Sequence, residues 1–289
     1  MQFLPTFTPL ITRYDAFICD LWGVIHDGTT LYPGVIETLT ALKNAGKKII
    51  FLSNAPRRAI MAEANLSRLG IEKNLYDAVI TSGEATYHFL SDPANRLREQ
   101  CGKRYVFIGP ERDAGLTAGL DYERVDIPAK ADFILNVGFL HDDQTLDEWQ
   151  MLLEQCLILD LPMLCANPDH EIVRVTGKVA LCAGAIAARY TEMGGSVLSF
   201  GKPYPEVYAA CYLLLKDTPK DRILAVGDNL ATDIQGANSE KLPVALITGG
   251  ILKTAHGLDG CTEASYLEIA ALLKKVVITT DWVVPAFTL

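Results

Sequence analysis

The sequence has no extended run of basic residues, no apolar stretch of membrane-spanning length and no internal repeat. Its formal net charge of −9 does not provide the basic face that a phosphate backbone requires, so we exclude nucleic acid as a partner. The longest apolar stretches, such as Val276–Ile278 and Trp282–Val284, are far shorter than a membrane span. Met1–Pro5 lacks the basic start and apolar core of a signal peptide. These absences predict a soluble protein with no membrane partner.

The sequence also has no CxxC motif, and its number of cysteines is odd. Most of the cysteines lie inside apolar segments, which is typical of buried thiols in a reducing compartment. We therefore expect a cytoplasmic location, and we disfavour a catalytic cysteine. The seven cysteines are Cys19, Cys101, Cys156, Cys165, Cys182, Cys211 and Cys261.

The 289 residues are 49% hydrophobic and 21% charged, which is enough apolar chain for one large core or two modest cores. Short runs of β-branched and apolar residues alternate with amphipathic segments, and this alternation predicts a parallel α/β fold. Strands are predicted at Ala16–Cys19, Lys48–Leu52, Ala78–Thr81, Tyr105–Ile108, Phe133–Val137, Met163–Cys165, Val197–Phe200, Ile223–Val226 and Val244–Ile247. Helices are predicted at Gly34–Asn44, Arg57–Leu69, Gly83–Leu90, Leu146–Leu159, Leu181–Glu192, Pro205–Leu215, Thr232–Ser239 and Thr262–Lys274.

The nine predicted strands are more than a single small sheet usually contains. Ser91–Pro93 and Pro128–Lys130 have the composition of loops within a separate unit. We therefore predict one core built from both ends of the chain, residues 1–82 and 179–289, with a second α/β unit inserted at residues 83–178.

Carboxylates follow two of the predicted buried strands. Asp20 lies at the carboxyl end of Ala16–Cys19, and Asp228 and Asp233 follow Ile223–Val226. Ligands of open α/β sheets bind at this edge, and grouped carboxylates are typical ligands of a hard divalent cation. A single carboxylate at a strand end is more often a turn or helix-cap residue. The carboxylates of two strands together predict an Mg²⁺ site.

Two further segments place phosphate-binding groups near the same edge. Ser53 and Asn54 follow Lys48–Leu52 and precede a predicted helix, whose amino end favours anions. Lys202 precedes another predicted helix, with prolines at its entry. Alone, such a serine is usually a cap and such a lysine is usually solvated. Together with Asp20 they supply the nucleophile, hydroxyl and ammonium that phosphoryl transfer requires.

The ordered combination of motifs resembles the haloacid-dehalogenase superfamily, in its NagD-like class IIA branch of phosphatases. The resemblance spans nearly the whole chain and rests on Ser53–Asn54, Ala166–Asp169, Ala183–Ile186, Phe200–Pro203 and Gly227–Leu230. It implies a Rossmann-like core with an α/β cap inserted between the serine and lysine motifs. This expectation agrees with the insertion predicted above.

The resemblance also implies a function for each motif residue. Asp20 would be the nucleophile, which forms an aspartyl-phosphate with a small phosphorylated metabolite. Asp20, Asp228 and the backbone carbonyl of Trp22 would bind Mg²⁺, and Asp233 would support the metal or Lys202. The groups that hold the phosphoryl oxygens and line their pocket would be Ser53, Lys202 and Asn54.

The sequence departs from this family at Trp22. Family phosphatases have a second aspartate there, which protonates the leaving group and then activates the hydrolytic water. An indole does neither, because its N–H donates without titrating, and general acid/base catalysis contributes roughly 10²–10⁴-fold in rate. We therefore predict binding of Mg²⁺ and phosphate with slow turnover of alkyl phosphates. His26 and Asp27 are alternative proton carriers, although a turn at His26–Gly28 needs no such role.

Three functions stay open at this point. The favoured one is a Mg²⁺-dependent phosphatase of a small phosphorylated metabolite with an altered acid/base. The second is a non-catalytic phosphometabolite-binding or regulatory protein on the same fold. A haloacid dehalogenase is the third, and Gly227–Asp233 disfavours it because dehalogenases do not need that metal motif.

Two further segments have alternative interpretations. His170 follows the Ala166–Asp169 turn and faces either the pocket or, as is commoner for a loop histidine, the solvent. The apolar tail from Val276 to Val284 is expected to pack against the core. Contact between two copies in a homodimer is the alternative for this tail.

Overall fold

A computed structural model describes residues 1–94, 102–174, 177–259 and 262–289. Cys101 and Cys261 lie outside the described residues, and the other five cysteines are free and buried, as predicted. Across the described ranges, no helix combines the length and the apolar character needed to cross a membrane.

Seven parallel strands form the main sheet. Both ends of the chain contribute, because the first strand pairs with the last. The central strands are rich in β-branched and apolar residues and are buried on both faces, which is the pattern that a covered parallel sheet requires. In spatial order the strands are Gln2–Phe3, Trp282–Val284, Val244–Ile247, Ile223–Gly227, Ala16–Cys19, Lys48–Ser53 and Ala78–Thr81.

Helices cover both faces of this sheet and close two hydrophobic layers. The layer on one face is completed by Thr8–Arg13, Val35–Asn44 and Ala59–Arg68. The layer on the other face is completed by Pro205–Leu215, Gln235–Ser239, Ile251–His256 and Glu263–Lys275. Because both faces are covered, the carboxyl ends of the strands are where polar residues meet.

The central part of the chain forms a second sheet of five parallel strands. Their order is Val197–Ser199, Met163–Cys165, Phe133–Asn136, Arg104–Ile108 and Glu123–Arg124. One face packs on Gln150–Ile158 and Ala183–Glu192, and the other packs on Ser82–Ser91. An antiparallel hairpin, Glu171–Val173 with Val179–Leu181, contacts the helix Ile251–His256 of the main unit. Short 3₁₀ segments lie at Lys73–Leu75, Glu111–Thr117, Pro128–Lys130, Leu146–Trp149 and Lys220–Arg222, and a π-helical turn lies at Leu230–Ile234.

The strand Val197–Ser199 lies beyond residue 178, where the sequence-based division ends the insertion. It pairs in parallel with Met163–Cys165 over three residues, so it belongs to the five-stranded sheet. Pairing between distant strands leaves no local signal in the sequence, and the predicted boundary differs for that reason. We propose that the inserted unit comprises residues 83–199.

The predicted α/β fold class is confirmed, and all nine predicted strands are present with ends within one residue of those predicted. Four predicted helices differ in detail. Arg57–Leu69 begins at Ala59, and Leu181–Glu192 begins at Ala183 because Leu181 belongs to the hairpin strand Val179–Leu181. Leu146–Leu159 is a 3₁₀ turn followed by an α-helix that begins at Gln150, and Thr232–Ser239 overlaps a π-helical turn at Leu230–Ile234. The end of the tail is confirmed to pack on the core, because Trp282–Val284 is a strand of the main sheet, whereas Val276 and Val277 are exposed.

Candidate active site

Three carboxylates converge at the carboxyl edge of the main sheet. Asp20 follows its strand directly, and its N–H donates to the carbonyl of Val226 on the neighbouring strand at 2.8 Å. Asp228 follows that neighbouring strand, and Asp233 lies in the π-helical turn beyond it. Ligand oxygens of Asp20, Asp228 and Asp233 lie within 4.8 Å of one another, and all three residues are buried.

The loop after Asp228 folds back because its own polar groups bind one another. The Asn229 side chain accepts the N–H of Ala231 at 2.9 Å and so begins the turn. The Asn229 N–H donates to the Asp233 carboxylate at 3.1 Å, which directs Asp233 toward the sheet edge. Local hydrogen bonding thus places Asp233 beside Asp228.

Glycines make room for the Asp228 carboxylate. A Cβ at either Gly23 or Gly250 would collide with this carboxylate, and Gly23 has φ of +88°. The N–H of Ile251, the residue after Gly250, donates to Asp228 at 2.8 Å. Because Trp22 directly precedes Gly23, this close approach brings the Trp22–Gly23 peptide next to Asp228. The metal-binding role of the Trp22 carbonyl stays a prediction.

A Gly23→Ala substitution is expected to weaken Mg²⁺ binding by about tenfold or more, because the added methyl group displaces Asp228. The measurement is a calorimetric titration with Mg²⁺. Gly46→Ala is the matched control, because Gly46 also has a positive φ of +72° but an added Cβ there would meet no atom within 4 Å. Both variants lose about 1 kcal/mol of stability or more from backbone strain. Equal Mg²⁺ affinities in the two variants would contradict the placement of Asp228.

Lys202 lies within this acidic cluster. Its Nζ donates to Asp20 at 2.5 Å, to Asp233 at 2.6 Å and to the Leu52 carbonyl at 2.9 Å. Burial alone lowers the pKa of Lys202, but the negative charges of Asp20 and Asp233 outweigh this effect and raise it. Lys202 is therefore a permanent ammonium at neutral pH.

The electrostatics of the cluster favour a divalent cation. Burial raises the pKa of Asp20 well above its usual range, and the charges of Asp233 and Asp228 raise it further against the opposing effect of Lys202. Burial and the charge of Asp233 raise the pKa of Asp228 to about 8. Full ionisation of the three carboxyl groups beside one ammonium would leave two negative charges, which a bound cation would neutralise. This set of hard oxygen donors and its excess charge fit Mg²⁺.

The serine motif ends the adjacent strand, as predicted. Ser53 is buried, and its hydroxyl accepts the N–H of Ala55 at 3.2 Å. The Asn54 side chain accepts the Lys202 N–H at 2.7 Å and donates to the Lys202 carbonyl and to Asp169, both at 3.0 Å. These bonds occupy the Asn54 amide, so a contact between Asn54 and a substrate would use its backbone. The substrate-binding role predicted for Asn54 is thereby limited.

Trp22 lies half-buried at the junction of the two units. Its indole packs over Gly28, where an added Cβ would collide with the ring. The His26 ring meets it edge-on at 5.9 Å, and the Arg174 guanidinium lies 5.3 Å from its centroid. Arg174 belongs to the inserted unit and is held by both oxygens of Asp142 at 2.7 and 2.9 Å. The indole therefore contacts both units.

His26 is a poor substitute for the missing acid. It is buried, and its Nδ1 accepts the Gly28 N–H at 3.0 Å. Burial lowers the pKa of His26 to about 4, so the imidazole is neutral at pH 7. Asp27 accepts hydrogen bonds from Thr29 and Thr30, as the predicted turn requires. Both observations favour the turn over a catalytic role for these two residues.

A cavity of about 780 Å³ lies between the two units, and all seven predicted site residues line it. The sequence did not single out the arginines at its rim, Arg57, Arg112 and Arg174. Arg57 binds Asp113 of the inserted unit at 2.5 Å. No sequence motif marks these residues, because their relevance depends on how the two units meet. Asp169 lines the cavity, whereas His170 is exposed to solvent.

Comparison with known proteins gives matches along most of the chain. A family model described as haloacid dehalogenase-like hydrolase matches residues 17–123, and a second, described as HAD-like hydrolase, matches residues 199–269. Chronophin of Mus musculus is 30% identical over 226 residues, which are 75% of this chain and 74% of chronophin. D-glycerol 3-phosphate phosphatase of Mycobacterium tuberculosis is 27% identical over 83% of this chain, but the match spans only 64% of that relative.

Solved structures share the fold. A hydrolase of the haloacid dehalogenase-like family from Brucella suis has a TM-score of 0.83 and 30% identity, covering 99% of this chain and 100% of that one. A glycerol phosphate phosphatase from Mycobacterium tuberculosis, solved in complex with magnesium, has a TM-score of 0.63 and 23% identity, covering 83% of this chain and 70% of that one. The second likeness shows the fold alone.

Proposed function

Because the chain belongs to the haloacid-dehalogenase superfamily, in its NagD-like class IIA branch of phosphatases, we propose that it is a Mg²⁺-dependent phosphatase of a small phosphorylated metabolite. The observation that carries this proposal is the buried cluster of Asp20, Asp228, Asp233 and Lys202. The mycobacterial relative, named for D-glycerol 3-phosphate, supports a small phosphorylated substrate.

Each residue of the cluster has its own role in the proposed reaction. An Asp20 carboxylate oxygen attacks phosphorus, the ester bond to the leaving group breaks, and an aspartyl-phosphate forms. The Lys202 ammonium and the Ser53 hydroxyl hold the phosphoryl oxygens, while Asp233 holds Lys202 at 2.6 Å. Asp20 and Asp228 would hold Mg²⁺, which would neutralise charge at the phosphoryl group. Water then hydrolyses the aspartyl-phosphate and restores Asp20.

Trp22 determines which esters react well. The indole N–H donates but does not titrate, so Trp22 cannot deliver a proton to the departing oxygen. The leaving group therefore departs as an anion, which favours aryl and acyl phosphates over alkyl phosphates.

Because the buried thiols suit a reducing compartment, we also infer a cytoplasmic enzyme. A homodimer stays a prediction.

Asp228→Ala is expected to abolish measurable Mg²⁺ binding, because a divalent cation would lose a charged ligand in a buried site. Calorimetric titration with Mg²⁺ makes the measurement. Asp221→Ala is the control, since Asp221 is an exposed carboxylate before the same strand and should leave the affinity unchanged. Binding of Mg²⁺ by Asp228→Ala with wild-type affinity would refute the metal site.

The second candidate is a phosphometabolite-binding protein without turnover, and Trp22 is the observation that favours it. The two candidates differ in one measurement, the release of phosphate from p-nitrophenyl phosphate in the presence of Mg²⁺. Release that requires both Mg²⁺ and Asp20 supports the phosphatase. Phosphate binding without release supports the binding protein. A dehalogenase is disfavoured, because it has no use for the carboxylate cluster around Asp228.

A further inference from the structure

The side-chain amide of Asn54 holds the backbone of Lys202 at two points. Its Oδ1 accepts the Lys202 N–H at 2.7 Å, and its Nδ2 donates to the Lys202 carbonyl at 3.0 Å. The same Nδ2 donates to Asp169 Oδ1 at 3.0 Å. An amide nitrogen carries two hydrogens, so one serves Lys202 and the other serves Asp169. Asp169 thereby sets the orientation of the amide that holds Lys202.

Asp169 belongs to the inserted unit, and its backbone is held there firmly. It follows the strand Met163–Cys165 of the five-stranded sheet, and its N–H donates to the Asn167 side chain at 3.0 Å. Its carbonyl accepts the N–H of Gly184 at 3.0 Å. At Gly184 an added Cβ would collide with the carbonyls of Pro168 and Asp169, so the helix begins in close contact with this turn. From this turn the carboxyl group of Asp169 reaches Asn54 of the main unit.

The environment of Asp169 combines burial with charges of both signs. Burial raises the pKa of Asp169, while the charge of Lys202 and the hydrogen bonds from Asn54 and Thr232 oppose that rise. The negative charge of Asp233 acts in the same direction as burial. The net effect is a raised pKa, and Asp169 Oδ1 accepts the hydrogen bond from Asn54 in either protonation state.

We propose that Asp169 is a positioning residue, which orients Asn54 and through Asn54 holds Lys202 in place for phosphoryl binding. Lys202 Nζ must stay between Asp20 and Asp233, and the Asp169 carboxylate transmits the position of the inserted unit to it. Contact between the two units thus completes the phosphate site. The consequence for turnover rests on the proposed phosphatase function, whereas the consequence for phosphate binding does not.

The test combines binding of inorganic phosphate with turnover of p-nitrophenyl phosphate, both in the presence of Mg²⁺. Asp169→Ala is expected to weaken phosphate binding about tenfold and to lower kcat/KM about 10- to 100-fold, because the amide of Asn54 loses its orienting partner. Asp169→Asn keeps an oxygen acceptor of the same shape and is expected to retain most of both. If Asp169 acted by transferring a proton, Asp169→Asn would lose as much turnover as Asp169→Ala.

Two controls separate positioning from general damage. Asp143→Ala removes an exposed carboxylate of the same unit, which pairs with Lys178, and should change neither phosphate binding nor turnover. Mg²⁺ affinity should fall less than phosphate affinity in Asp169→Ala, since Asp20 and Asp228 keep their places at the ends of their strands, and the thermal midpoint should be near wild type. Because Asp169 acts through Asn54, the double variant Asp169→Ala/Asn54→Ala should be no weaker in phosphate binding than Asn54→Ala.

The proposal is overturned if Asp169→Ala binds phosphate as wild type does, or if its losses in phosphate and Mg²⁺ affinity are equal. It is also overturned if the effects of Asp169→Ala and Asn54→Ala add fully. Should Asp169→Ala not fold, Asp169→Asn and Asp169→Ser decide, since only the first keeps an acceptor within reach of Asn54. A wild-type protein without turnover would refute the phosphatase, while its phosphate affinities would still test Asp169.

Discussion

Asp20→Asn is expected to lower kcat on p-nitrophenyl phosphate by at least about 10⁴-fold, because an amide cannot attack phosphorus as a carboxylate does. The substitution keeps the shape of the side chain, and Asp228 and Asp233 still bind their partners. Steady-state turnover with Mg²⁺ gives the loss. Acid quenching followed by peptide mass spectrometry should find one phosphoryl group on the wild-type peptide containing Asp20 and none on the variant.

The matched control for this variant is Asp15→Asn. Asp15 lies at the amino end of the same strand, where it is exposed and pairs with Arg222 at 2.8 Å. It lies at the opposite edge of the sheet from Asp20, so its loss should not change kcat. Substantial turnover by Asp20→Asn, with phosphate attached elsewhere, would assign the nucleophile to another residue.

Much of this site could be predicted from the sequence because parallel strands have a simple rule. Strands buried on both faces are continuous apolar runs, and their carboxyl ends lie at one edge of the sheet. The positions of these runs in the sequence are therefore enough to predict that Asp20, Ser53 and Asp228 lie together. The structure places them as the rule predicts, with Asp20 hydrogen-bonded to the strand that precedes Asp228.

Other features depended on contacts that leave no local pattern. The sequence of the strand Val197–Ser199 would suit either sheet, and only its pairing with Met163–Cys165 assigns it to the five-stranded one. The link from Asp169 to Asn54 joins residues that are 115 positions apart in the sequence. The two-residue strand Gln2–Phe3 is too short for a periodic signal. In each case the partner, which the sequence does not identify, determines the structure.

Trp22→Asp is expected to raise the turnover of alkyl phosphates by roughly 10²-fold, because a carboxylic acid can protonate the departing oxygen and then activate water. The gain should be smaller for p-nitrophenyl phosphate, whose leaving group departs readily as an anion. The wild-type protein should hydrolyse p-nitrophenyl phosphate faster than alkyl phosphates. It should also release a burst of p-nitrophenol if the aspartyl-phosphate on Asp20 accumulates. Steady-state assays on one alkyl and one aryl phosphate, with rapid-quench measurement of the burst, test these expectations.

Trp22→Asn is the matched variant, because it removes the same indole volume and the same contact with Arg174 without adding a titrating group. An equal gain in Trp22→Asp and Trp22→Asn would attribute the effect to the opened cavity rather than to proton transfer. If wild type hydrolyses alkyl phosphates quickly, with no burst and no dependence on the leaving group, another residue supplies the proton. His26 would be the first to replace, although its neutral, buried imidazole makes it a weak acid donor at pH 7. The comparison therefore decides whether Trp22 limits the chemistry or only shapes the pocket.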